Sequence, residues 1–263
     1  MTKSRKQCIN KSMQTKKIVF MGSKAIGAEC LAYLAEHAED MGGEVIGVLT
    51  NQKRDDAACI TDICTKHNIP LIPSLDEYLK LPHVDILISV QYHEILKKPH
   101  IEKADQIAIN LHMAPVPEYR GCNQFSFAII DGVKEFGTTI HRLEEGIDSG
   151  DIIAEKRFPI PDDIFVMDLY DMTYKHSVTL FQEQIEAIIK GDITLTPQAS
   201  FAGKRPTSIH YRNEIETIKQ IDLDWPQEKI KRHVRATYFD GFEPPYTYVG
   251  DKKVYFTKEG NTI

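Results

Sequence analysis

The alternation of short apolar runs with helical patterns over roughly the first 110 residues constrains this chain more than any other feature. Five apolar runs predict strands: residues 17–22, 44–50, 69–72, 84–90 and 106–112. Between them, helical spacing of apolar residues predicts three helices: residues 24–39, 57–67 and 75–81. Strands that alternate with helices form a mostly parallel sheet that is covered on both faces. The sequence therefore predicts an α/β fold.

The second half of the chain has a different pattern. Residues 136–143 and 151–159 alternate like antiparallel strands, and they are flanked by predicted helices at 121–131 and 165–190. Past residue 205 a short helix at 227–236 precedes a hairpin pattern at 246–256. We therefore predict three parts: a basic tail (1–15), a catalytic domain (16–205) and a small, strand-rich C-terminal subdomain (206–263).

Charge and composition exclude several classes of protein. The chain has 32 Lys and Arg against 38 Asp and Glu, and the first 17 residues hold six of these bases and no acid. The remaining acidic body argues against nucleic acid as a partner. The apolar runs are too short to span a membrane, and the basic N-terminus has no apolar signal segment. Five cysteines without a C-x-x-C pair favour the cytoplasm, and no His/Cys spacing indicates a metal site.

Two positions follow the first predicted strand. Ser23 and Lys24 lie where the N-terminus of a helix offers free N–H groups to an anion. The loop from Gly22 to Gly27 is neither a G-x-G-x-x-G nor a P-loop motif. An ordinary tight turn explains it as well as a phosphate site does.

The apolar run at residues 106–112 ends in an Asn-x-His pattern. Alternation places Asn110 and His112 on one side of a strand, near the carboxyl end of the sheet, where open α/β sheets bind ligands. Asn can polarise a carbonyl group, and His accepts a proton near neutral pH. Asp148, in a polar connection between two later strands, could pair with His112. Alternatively, all three are ordinary polar residues of loops and turns.

Three linked motifs carry a family resemblance. Asn110-x-His112, Pro117-x-Tyr119-Arg120-Gly121 and the segment 145–152 (EGIDSGDI) resemble, in order and separation, the formyltransferases that use 10-formyltetrahydrofolate. The similarity covers about residues 16–205, most of the chain. It implies a Rossmann-like formyltransferase domain, with 10-formyltetrahydrofolate as co-substrate.

The resemblance also implies roles for individual residues. Asn110, His112 and Asp148 align with the catalytic set of that family. The residues expected to hold the folate are Ser89, Gln91, Tyr92, Leu143, Glu144, Glu145 and Gly146. The residues expected to contact the second substrate are Ser23, Lys24, Arg120, Gly121 and Asn123.

The C-terminal part resembles one branch of the family. Residues 235–256, together with Ser89-x-x-Tyr92 and Arg120-Gly-x-Asn123, are similar to the sugar-nucleotide N-formyltransferases. These enzymes formylate the amine of nucleotide-linked amino sugars such as viosamine or perosamine, for glycans such as O-antigen, and are often dimers through C-terminal strands. Two alternatives stay open: a methionyl-tRNA formyltransferase with a shortened C-terminal domain, and a non-catalytic folate- or nucleotide-binding protein.

Overall fold

The computed structural model describes residues 14–51 and 57–258, so most of the predicted basic tail lies outside the described residues. The first half of the chain forms β1 (Lys16–Gly22), α1 (Lys24–His37), β2 (Gly43–Leu49), α2 (Ala57–Lys66), α3 (Leu75–Leu79), β3 (Ile86–Val90), α4 (Lys98–Glu102), β4 (Ile107–His112), β5 (Arg120–Gly121) and α5 (Gln124–Asp131). The second half forms β6 (Glu135–Arg142), β7 (Ile152–Pro159), α6 (Val166–Lys190), β8 (Ile209–His210), α7 (Glu214–Lys219), α8 (Gln227–Thr237), β9 (Tyr246–Val249) and β10 (Lys252–Tyr255).

Six of the strands build one central sheet in the order β2-β1-β3-β4-β6-β7. The first four run parallel to each other, whereas β6 is antiparallel to β4 and β7 is antiparallel to β6. The predicted α/β architecture, with a mostly parallel sheet and an antiparallel pair after it, is confirmed.

The two faces of this sheet bury alternate residues of each strand. Ile18 and Ile88 pack in a cluster with apolar residues of α1 and α6. Val19 and Leu87 face the other way, into a cluster with residues of α3 and α4. This alternation follows from the two-residue period of a strand. It also decides which polar side chains meet at the carboxyl ends of the strands.

Two local predictions are wrong. Residues 69–72 do not form a strand, because only Leu71 bridges to Val48. Pro70 lacks an N–H group, so it cannot extend the ladder. The helix predicted at 121–131 begins at Gln124, because Arg120–Gly121 instead pairs in parallel with Ile209–His210.

The C-terminal part holds two short helices and an antiparallel pair of strands, β9 and β10. Ile221, Val234 and Phe256 form its own buried cluster, against which Trp225 and Ile230 pack. The predicted hairpin is confirmed. Within residues 14–51 and 57–258, no helix is both long and apolar enough to cross a membrane.

Candidate active site

Three polar residues form a row across the carboxyl half of the sheet. Ser89 on β3 is the neighbour of Asn110 on β4, and Asn110 is the neighbour of His141 on β6. Paired residues of adjacent strands project to the same face. His112, two positions after Asn110, lies on that face at the end of its strand.

Asp148 reaches this row from the loop between β6 and β7. One carboxylate oxygen, Oδ2, lies 3.6 Å from Nδ1 of His112 and accepts a hydrogen bond of 2.9 Å from the backbone N–H of Gly121. The other, Oδ1, accepts a hydrogen bond of 3.4 Å from Nδ2 of Asn110. The structure thus brings together the three residues that the sequence motifs single out.

Hydrogen bonding fixes the tautomer of His112. Its Nε2 lies 2.8 Å from the carbonyl oxygen of Tyr119, which can only accept, so Nε2 carries a hydrogen. In the neutral ring, Nδ1 is then the unprotonated nitrogen, and it faces Asp148. The ring is buried, with 5% of its surface exposed. His112 is therefore held as a proton acceptor whose conjugate acid would meet a carboxylate.

The charge state of Asp148 follows from its surroundings. Burial opposes ionisation, but the charge of His112, the hydrogen bond and charge of His141 and the Gly121 N–H outweigh it. Together they hold the pKa of Asp148 well below its ordinary value. Asp148 is consequently an anion throughout the neutral range, able to stabilise an imidazolium ion on His112.

His141 is a member of the site that the sequence reasoning missed. Its Nε2 lies 3.3 Å from both Nδ2 of Asn110 and Oδ1 of Asp148, and its Nδ1 lies 2.8 Å from the carbonyl oxygen of Arg142. Only 1% of its side chain is exposed. The alternating pattern of residues 136–143 could have placed it on one sheet face, but not opposite Asn110.

The predicted anion site lies at the start of α1. The hydroxyl of Ser23 is buried and has no hydrogen-bond partner among the described residues. Lys24 donates through Nζ to Oε1 of Gln91 at 3.0 Å, which joins the ends of β1 and β3. Both Lys24 and Gln91 have positive φ angles, of 61° and 52°. An unpaired buried hydroxyl at a helix N-terminus is suited to receive an anionic oxygen.

The residues expected to hold the folate form two groups, one at the carboxyl end of β3 and one after β6, and β4 lies between these two strands. Ser89 is buried on β3, and Gln91 and Tyr92 follow that strand, half-buried. In the second group, Leu143 donates its N–H to the carbonyl of Ala108 at 2.8 Å. The exposed residues of this group lead directly to Asp148: Glu144, Glu145 and Gly146.

Two of the residues expected to contact the second substrate are engaged elsewhere. Arg120 donates to the hydroxyl of Thr207 at 3.1 Å, and Asn123 donates to the carbonyl of Tyr211 at 2.8 Å. Gly121, between them, meets Asp148 through its backbone. The structure therefore places Gly121 beside Asp148 and ties the side chains of Arg120 and Asn123 to a later segment.

The profile of the formyl transferase family matches residues 16–185, which include all of this site. The chain belongs to the formyl transferase family. Among its relatives, the GDP-perosamine N-formyltransferase of Brucella melitensis is 29% identical over 172 residues, which are 65% of this chain and 63% of that protein. The chain thus spans less than two thirds of that relative's length. The methionyl-tRNA formyltransferase of Clostridium novyi is 26% identical over 91% of this chain and 79% of its own length.

The fold of this chain is shared with solved structures. One is the N-formyltransferase from Helicobacter canadensis in complex with folinic acid and dTDP-3-aminofucose. It superposes with a TM-score of 0.74 at 22% identity, covering 91% of this chain and 86% of the other. At 22% identity this similarity establishes the fold alone. Any conclusion about the reaction has to come from the residues of the site.

Proposed function

We propose that this formyltransferase moves the formyl group of 10-formyltetrahydrofolate to the amine of a nucleotide-linked amino-deoxy sugar in the cytoplasm, for glycan assembly such as that of O-antigen. The observation that carries the proposal is the cluster of Asn110, His112 and Asp148 at the carboxyl end of the sheet. It combines a neutral donor, a proton acceptor and a fixed anion. Each of these groups can assist the attack of an amine on a formyl carbon.

In this reaction His112 takes up the proton that the attacking amine loses. The Nδ1 atom of the neutral ring has the free electron pair, because Nε2–H is committed to the carbonyl of Tyr119. Asp148 then stabilises the positive charge that forms on the ring. The proton passes on to the nitrogen of the departing tetrahydrofolate, so the enzyme returns to its starting state.

Asn110 supplies the hydrogen bond to the formyl oxygen, which becomes negative as the amine adds. Its Nδ2 group now donates a long hydrogen bond of 3.4 Å to Asp148 and lies 3.3 Å from Nε2 of His141. Long hydrogen bonds in a free enzyme commonly rearrange when the substrate arrives. A preorganised donor aimed at such an oxygen contributes about 10²–10³ in rate.

The two substrates are assigned to different strand ends. The folate would be held by the segment 89–92, whose Ser89 pairs with Asn110, and by residues 143–146, which precede Asp148 in its loop. The pyrophosphate of the sugar nucleotide would meet Ser23 and Lys24, where the buried hydroxyl lacks a partner. Nothing in this assignment requires a metal.

Two observations support the sugar nucleotide as acceptor. The Brucella relative is named for GDP-perosamine, and the Helicobacter structure contains a dTDP-amino sugar. The second candidate acceptor is methionyl-tRNA, favoured by the Clostridium enzyme, whose match extends over 91% of this chain. The whole chain has a net charge of −6, which favours the sugar nucleotide over the polyanionic tRNA as acceptor.

The test is an acceptor panel with purified protein and 10-formyltetrahydrofolate. The panel contains dTDP-, UDP- and GDP-linked 3- and 4-amino sugars, with methionyl-tRNA in a parallel reaction. We expect tetrahydrofolate release and a mass gain of one formyl group on a sugar nucleotide. Formylation of methionyl-tRNA alone would reject the sugar proposal, and folate binding without any turnover would favour the non-catalytic alternative.

The proposed enzyme is a homodimer that pairs through the C-terminal strands. Tyr248 and Val249 on β9 are half-exposed or more, with 50% and 58% of their surface accessible. Burying them against a second copy would remove apolar surface from water. Light scattering of the wild type and of Val249→Lys tests this, with a monomeric wild type as the contradicting result.

A further inference from the structure

A segment beyond the family match contacts both loops that carry the catalytic residues. Residues 196–211, called the brace here, follow α6 and lie outside residues 16–185. At its start, Thr196 exchanges two backbone hydrogen bonds of 2.8 Å with Ile152 at the beginning of β7. At its end, Ile209–His210 forms β8, which pairs with β5.

Near the start of the brace, Gln198 fixes the backbone of the Asp148 loop. Its Nε2 donates to the carbonyl oxygen of Asp148 at 2.7 Å and to that of Gly150 at 2.8 Å. Asp148 has a φ angle of +44°, in the left-handed region that non-glycine residues rarely adopt. The amide of Gln198 uses both hydrogens to hold this turn, so it sets the direction in which the Asp148 carboxylate projects.

Further along, Arg205 fixes the loop beside His112. Its guanidinium group makes two hydrogen bonds of 2.7 Å to the carboxylate of Glu118, and a third of 2.8 Å to the carbonyl of Val116. Glu118 is 8% exposed, so this is a buried, bidentate ion pair. The next residue, Tyr119, provides the carbonyl oxygen that accepts the Nε2–H of His112.

Two further contacts connect the brace to the loop beside His112 and to Asp148. Ser208 donates its N–H to the carbonyl of Pro117 at 3.2 Å and its hydroxyl to the carbonyl of Glu118. Gly121, which pairs with the brace through β5, donates its N–H to Asp148. The brace therefore contacts the supports of His112 and of Asp148 together.

We propose that Gln198 and Arg205 are positioning residues, through which the brace sets the geometry of the pair His112 and Asp148. The proposal rests on the proposed function insofar as that pair performs the proton transfer. Neither side chain touches the reacting groups. Gln198 acts through the backbone carbonyl of Asp148 itself, and Arg205 acts through Glu118, whose neighbour Tyr119 supplies the carbonyl that holds His112. Misplacing a reacting group by about 1 Å can lower a rate by about 10².

The test uses two variants with two matched controls. Gln198→Leu keeps the bulk of the side chain but removes both donors, and Arg205→Lys keeps the charge but loses the two-pronged contact. Ser200→Ala and Lys204→Gln alter exposed neighbours in the same segment. We expect kcat to fall by about 10- to 100-fold in the first two, with KM for each substrate within about threefold of wild type. The controls should keep wild-type kcat.

Two further measurements separate positioning from loss of structure. Free guanidinium added to Arg205→Ala should restore part of kcat, which a misfolded protein would not allow. In ¹⁵N-histidine-labelled protein, the Nε2–H signal of His112, assigned by its loss in His112→Ala, should shift in Arg205→Lys and stay in place in Lys204→Gln. This signal needs no acceptor, so it tests the brace even where the wild type formylates nothing in the panel.

Any of three results would overturn the proposal. One is an unchanged His112 signal in Arg205→Lys. Another is a kcat in both brace variants within twofold of the controls. A fall in kcat that follows the unfolded fraction at the assay temperature, without rescue by guanidinium, would likewise assign the brace to stability alone.

Discussion

Gly121 is a position where a single added carbon should damage this site. Its φ angle is +87°, and a Cβ atom there would lie 2.3 Å from the backbone carbonyl oxygen of His210. Ordinary contact begins at about 3.4 Å, and the backbone of β8 cannot rotate away as a side chain would. The pairing of β5 with β8 must therefore open by about 1 Å in Gly121→Ala.

The expected cost has two parts. A positive φ angle costs an L-residue about 1–2 kcal/mol. Opening the pairing also weakens the hydrogen bond from the Gly121 N–H to the Asp148 carboxylate, and such charge-assisted bonds are worth about 1.5–3 kcal/mol. Gly241 serves as a control that separates the cost of the positive φ angle from the cost of opening the strand pairing. It has a φ angle of +82°, but nothing lies within 4 Å of the position of an added Cβ atom. Gly241→Ala should lose the first part only.

Urea unfolding and steady-state kinetics of both variants measure these terms. We expect a loss of about 3–5 kcal/mol in Gly121→Ala and about 1–2 kcal/mol in Gly241→Ala. kcat should fall by about 10² in Gly121→Ala, because Asp148 is displaced, and stay at the wild-type value in Gly241→Ala. Equal stability losses in the two variants, with full activity in Gly121→Ala, would refute the reasoning.

Three further predictions follow from the charges. His112→Ala should fold normally and lower kcat by about 10²–10⁴, measured in single-turnover assays; a kcat near that of wild type would remove His112 from the mechanism. Folding lowers the pKa of Asp148, so its ionised form stabilises the protein above about pH 4. The unfolding free energy of wild type should therefore exceed that of Asp148→Asn at neutral pH, and this difference should shrink as the pH falls below about 4. Burial raises the pKa of Glu155 from 4.5 to about 7, with Arg157 opposing and Glu118 adding to the rise. Wild type should therefore lose stability relative to Glu155→Gln as the pH rises from 4.5 through 7, and a difference that is flat with pH would contradict this.

The sequence predicted the sheet and the shared face of Asn110 and His112 because both depend on local patterns, whereas the assignment of Asp148 to the same site rested on the family resemblance. Apolar runs of five to seven residues, separated by helical periods, leave few topologies open. Asn110 and His112 share a face by alternation alone, and Asp148 lies in a connection that returns to the same edge. The predicted contact between Asp148 and His112 is present, at 3.6 Å.

His141 was missed because its role depends on register between strands. A single histidine inside an apolar strand pattern indicates only a buried position. Its pairing opposite Asn110 comes from the antiparallel register of β4 and β6, which are separated by the whole segment 113–134. No local pattern in either strand encodes that register.

The brace was missed for a related reason, and it bears on how the chain is divided. Strands of two residues leave no periodicity, and the contacts of Arg205 with Glu118 span 87 residues. The predicted boundary between residues 205 and 206 would separate Arg205 from Ser208, although both hold the loop that ends at Tyr119. A division based on local patterns places the catalytic residues on one side and half of their supports on the other. In this chain the residues of the proposed chemistry lie near the strand ends, whereas the segment that contacts their supports comes after the matched family domain.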